Sequence, residues 1–127
     1  LKYNSSYKRY IKMFIDWEKV SIFVRPGITD MRKQINGLSI LVEEEMIMDT
    51  NSGSLFLFCS RNKRTLKCIY WDKNGYCMWQ KKLEKDRFPW PMTEEDVEEI
   101  TFDKLKLLLS GIDFWKAHKE ITYKEMN

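Results

Sequence analysis

Across residues 54–90 the apolar and aromatic side chains recur at every second position, and that alternation constrains the fold more than any other feature of the chain. Successive residues of an extended strand face opposite sides of a sheet, so this period belongs to strands. Three runs, SLFLFCS, RTLKCIYW and YCMWQKKL, are separated by Arg61-Asn62-Lys63 and by DKNG at 72–75, whose Asn-Gly pair is a strong hairpin signal. The segment reads as an antiparallel meander. If Trp71 pairs with Tyr76 or with Met78, one face carries Leu66, Cys68, Tyr70, Cys77, Trp79 and Leu83, an ordinary core set. The other carries Lys67, Ile69, Trp71, Tyr76, Met78, Gln80 and Lys82, mixing cations with aromatic rings. Two readings of that second face stay open. It meets a nucleic-acid backbone, with Trp71 available for stacking, or it lies under a helix with its lysines snorkelling at the rim.

Upstream, VSIFVR at 20–25 reads as a short strand ended by Pro26-Gly27. The following stretch to Glu45 holds Gly27 and Gly37 around Arg32 and Lys33, but it lacks the spacing of a phosphate-binding glycine loop. It reads instead as a helix over about 30–45, with Thr29 as N-cap, Asp30 in the first turn, and Met31, Ile35, Leu38 and Val42 as the buried stripe. A second helix begins at Thr101 as N-cap, has Asp103 in its first turn, and stops at Gly111. Its stripe is Phe102, Leu105, Leu108, Leu109 and Ile112. The order is therefore β-α-β-β-β-α: a small single α+β domain, an antiparallel meander with two packed helices. Residues 1–12 read as a flexible basic extension, 13–113 as the domain, and 114–127 as a polar tail.

The net charge of +3 conceals segregation. Residues 53–90 carry nine cations against three acids, whereas 91–113 carry two cations against seven acids. A block of this kind can meet a polyanion or simply be solvated. No apolar run approaches the ~18 residues of a membrane span, so a soluble, cytoplasmic protein is expected. The three cysteines, Cys59, Cys68 and Cys77, sit inside apolar runs, which favours reduced thiols. Zinc needs four close ligands, and the single histidine, His118, is remote from them. The carboxylate runs 43–45 and 94–96 are contiguous surface acids with nothing to desolvate them. No metal, cofactor, small-molecule substrate or enzymatic activity is expected.

The helix start Asp30-Met31-Arg32-Lys33 with Gly37 and Leu38, the Trp71-Asp72-x-x-Gly75 hairpin, the segment Lys82-Leu83-Glu84 to Phe88 and Trp90, and the closing Leu108-Leu109-x-Gly111-Ile112-Asp113 form one ordered set. In order and spacing, over about residues 20–113, they resemble the short TnpB (Orf2-like) accessory proteins of the insertion sequence sixty-six family of bacterial transposable elements. The chain departs from that family's common pattern in having Ile35 and Asp86 where glycine is frequent. The resemblance implies a non-catalytic helper in transposition beside a separately encoded transposase. Two functions follow from it. One is DNA binding, with Arg61, Lys63, Arg64, Lys67, Trp71, Lys73, Lys81, Lys82, Lys85 and Arg87 as the contact set. The alternative is a protein-binding adaptor of the transposase without direct DNA contact.

Overall fold

The computed structural model describes residues 15–93, 97–113 and 115. The basic extension at 1–12 and all of the tail except Trp115 therefore lie outside the described residues. The expected meander is present: β2 (Leu55–Cys59), β3 (Thr65–Asp72) and β4 (Gly75–Lys82) run antiparallel, and Trp71 pairs with Tyr76. Strand β1 (Ile22–Val24) lies parallel to β2, since α1 (Ile35–Glu44) intervenes and carries the chain back. A fifth strand, β5 (Glu98–Ile100), pairs antiparallel with β1 and completes a mixed sheet of order β4-β3-β2-β1-β5. The order read from sequence has no strand here, because Glu98 and Glu99 are poor strand formers. Charged, very short strands are how sheet edges are kept from pairing with other chains.

Both faces of the sheet are covered. Odd-numbered Leu55, Leu57 and Cys59 join Leu66, Cys68, Ile22 and Val24 beneath Leu105 and Leu108 of α2 (Phe102–Leu109). On the opposite face Phe56, Phe58 and Ile69 pack under Leu38, Leu41 and Val42 of α1. Alternate residues of LFLFC thus feed two cores, and all five positions are buried. The aromatic-and-cation face of the meander is the one beneath α1.

The second helix forms as its sequence dictates. Thr101 Oγ1 accepts from the Lys104 N–H at 3.2 Å, Asp103 sits in the first turn, and Gly111 takes φ 80° just past the end. Ile112, expected in its apolar stripe, is 52 % exposed because the chain has already left the helix. The first helix departs further from expectation. Thr29 is not its N-cap: Thr29 is buried, its N–H donates to the Cys59 carbonyl at 2.8 Å, and its Oγ1 accepts from Arg25 Nη1. Asp30 closes a local turn by accepting from the Arg32 N–H at 2.9 Å. Short polar side chains compete with helical geometry in this way, and the helix starts only at Ile35, behind an N-cap Gln34 that makes no side-chain cap.

Candidate nucleic-acid interface

The turn between β2 and β3 is closed by its own side chains. Ser60 Oγ accepts from the Thr65 N–H at 3.0 Å and donates to Asn62 Oδ1 at 2.7 Å, while Asn62 Oδ1 also accepts from the Arg64 N–H. Asn62 Oδ1 is thereby engaged by the Ser60 hydroxyl and the Arg64 N–H, and Arg61, Lys63 and Arg64 are presented around it. The β3–β4 register sets Lys81 and Lys82 opposite Leu66 and Thr65, at this same end of the sheet. Beyond β4 the chain stays there, because the N–H groups of Leu83 and Phe88 donate to the carbonyls of Arg64 and Lys63, each at 2.7 Å. That path brings Lys85 and Arg87 alongside. Lys81 Nζ also donates to the Leu109 carbonyl at 2.9 Å, at the end of α2 where the helix dipole favours a cation. Segments carrying seven cations therefore share one end of the sheet, with Lys81 and Lys82 on its opposite faces and Glu84 and Asp86 the acids of the segment after β4.

Three of the ten expected contact residues stand elsewhere. Lys67 is a correction: it is only 2 % exposed, and its ammonium donates to the Met31 and Lys33 carbonyls at 2.8 and 2.9 Å. Its place on β3 points it at the lead-in to α1, whose carbonyls accept the hydrogen bonds that a phosphate would otherwise accept. Lys73 occupies the β3–β4 turn at the far end of two eight-residue strands, a separation of roughly 24 Å. Trp71 is at that far end too. It is half-buried and meets Tyr76 edge-on, with ring centroids 4.9 Å apart. The Tyr76 hydroxyl in turn donates to Asn51 Oδ1 at 2.6 Å and shares a hydrogen bond with Thr50. The structure does not bring Trp71 together with the basic cluster.

A sequence model of the family described as IS66 Orf2-like protein matches residues 20–119. The chain belongs to this family. It is also similar to two proteins of Sinorhizobium fredii, both described as uncharacterized. Protein y4hO is 36% identical over 103 residues, covering 81% of this chain and 89% of the relative. Protein y4jC is 29% identical over 99 residues, covering 78% and 85%. No solved structure matches. Membership in the IS66 Orf2-like family associates the chain with transposition in an accessory capacity. Among the described residues no helix is long and apolar enough to cross a membrane, and no cluster of three or more His, Cys, Asp or Glu gathers to hold a metal.

The motif residues of this IS66 Orf2-like chain divide by task. Phe88 is buried, and the Trp90 indole N–H donates to the Arg25 and Gly27 carbonyls at 2.9 and 3.0 Å, which ties the segment after β4 to the end of β1. Trp71, Asp72 and Gly75 build the β3–β4 hairpin. Leu108 is core and Gly111 ends α2. A Cβ on Gly37 would lie 3.2 Å from Lys33 Cβ and Cγ, so Gly37 makes room for the lead-in rather than for the sheet. Met31 packs on the α1-side core. Asp30 and Arg32 form an exposed ion pair, whose hydrogen bonds hold the Asp30 carboxyl down at about 2. Arg32 shares a surface hollow with Arg61 and so belongs spatially to the basic end, a neighbourhood that chain order does not reveal. Sequence reading also passes over Arg25, whose Nη1 donates to the Ile28 carbonyl and Thr29 Oγ1 while Nη2 pairs with Glu45.

Proposed function

We propose that this chain is a non-catalytic, DNA-associated accessory module of transposition that meets DNA phosphates with Arg61, Lys63, Arg64, Lys81, Lys82, Lys85 and Arg87. The observation that supports it is their convergence. One turn, one strand end and one following segment, separated in sequence, share an end of the sheet through the β3–β4 register and two backbone hydrogen bonds. Cutting and joining fall in this reading to the separately encoded transposase, and the work belongs in the cytoplasm. The test is binding to duplexes carrying the element's terminal repeats, measured across a salt series. With six phosphates neutralised, log K should fall against log salt with a slope of about −5, and Lys81→Ala with Lys82→Ala should flatten it by about two. A salt-independent response sinks the reading.

A second reading, an adaptor that binds the transposase without touching DNA, draws on Ile40 and Ile47, which are 50 % and 77 % exposed on and just past α1. It takes the lead if the chain binds transposase while its DNA binding proves salt-independent.

A further inference from the structure

The hollow between residues 28–32 and the β2–β3 turn has a volume of about 790 Å³. Its composition is mixed: Ile28 and Met31 are apolar, whereas Arg32 and Arg61 bring charge. Its walls are fixed from behind. The Thr29 N–H donates to the Cys59 carbonyl, Lys67 Nζ holds the Met31 and Lys33 carbonyls, and Arg25 Nη1 holds that of Ile28.

Arg32 is held in an unusual way for so exposed a side chain. Its Nε lies 3.0 and 3.1 Å from the two Asp30 carboxylate oxygens and its Nη2 lies 2.7 Å from Oδ2, yet the side chain is 92 % exposed. A bidentate carboxylate fixes the plane of a guanidinium, and its flat face remains open. Such planes are surfaces on which unpaired bases stack. Arg61 is exposed and takes part in no ion pair among the described residues. Because Asp30 is occupied by Arg32, Arg61 is the charge left to take an anion. Duplex DNA offers phosphates on a convex surface and keeps its bases stacked inside, so it has nothing to place among Ile28, Met31 and the Arg32 plane. An extruded or terminal nucleotide has both parts.

We propose that this hollow takes one unpaired nucleotide at a DNA end, with the base on the Arg32 guanidinium plane beside Ile28 and Met31 and its phosphate on Arg61. The assignment rests on the DNA-binding reading and adds to it a preference for ends that carry single-stranded residues. It is tested with the full chain by fluorescence anisotropy, using one terminal-repeat duplex in blunt form and with short 5′ or 3′ overhangs. One overhang form should bind about tenfold more tightly than the blunt form, the scale of a single base stack. Arg32→Lys, which keeps the charge but not the plane, should lose that preference while binding blunt duplex as the parent does. Asp30→Asn, which releases the plane while making the surface more positive, should also lose it. Equal affinity for blunt and overhang DNA with the salt slope intact, or a preference that survives Arg32→Lys, overturns the hollow alone. Salt-independent binding to every probe removes the DNA reading and the hollow with it.

Discussion

Ile47 stands in the left-handed region, at φ 55°, with 77 % of its surface exposed. A β-branched residue there brings its Cβ too close to the backbone, and the region costs L-residues about 1–2 kcal/mol. The position ends α1: the Met48 N–H reaches back to the Val42 carbonyl at 3.0 Å, a geometry helices usually close with glycine. Ile47→Gly should therefore stabilise the domain by about 0.5–1 kcal/mol once the greater freedom of the unfolded glycine is offset, read as a higher urea midpoint. An unchanged or lower midpoint would mean that the isoleucine side chain makes compensating contacts. Nothing in the run MIMDT at 46–50 announces this strain, because left-handed turns are legible in a sequence chiefly when glycine or asparagine fills them.

At the scale of elements, the two helices differ in how openly they are written. Thr101, Asp103 and Gly111 sit where capping chemistry wants them, and α2 is found as read but for Ile112, which falls beyond its end. In the lead-in to α1, Thr29 and Asp30 imitate a cap, but Arg25 and Arg32 occupy their side chains. Only tertiary contacts distinguish the imitation from the real start. The true N-cap, Gln34, has extended backbone and no side-chain cap, so Gln34→Asp should gain about 1 kcal/mol by accepting an orphan N–H near a positive helix end. Thr101→Ala is the matched opposite and should lose about as much. Both are measured by chemical denaturation at neutral pH. Strands follow the same logic: apolar and aromatic runs around an Asn-Gly turn mark β2, β3 and β4, while β5 carries its edge-protecting glutamates where a sheet-former would have marked it.

For the whole molecule, burial sets an alkaline limit. Desolvation pushes the Cys59 thiol from an ordinary 9.0 up to about 12, and it raises Cys68 and Tyr70 in the same direction. The folded state therefore keeps protons that the unfolded state releases. Its advantage from Cys59 is complete below pH 9 and is lost as pH climbs from about 9 to 12. Urea midpoints should fall over that window, and Cys59→Val should fall less steeply than the parent; parallel curves would remove Cys59 from the cause. The segregation of charge was legible in sequence, but which cations share a surface was not. Lys67 and Lys82 read alike along the strands, yet one is buried beneath the α1 lead-in and the other is solvent-exposed. The difference comes from a helix start that approaches one position of β3.

Buried Lys67 also makes the molecule its own clock. An acylating reagent attacks a free amine, and this amine is shielded while the Met31 and Lys33 carbonyls hold it. Lys82, exposed at the end of β4, reacts from the closed form. The ratio of the two modification rates, followed by mass spectrometry, then reports how often residues 31–33 lift from the sheet. Equal rates would mean that the Met31 and Lys33 carbonyls do not shield the Lys67 amine.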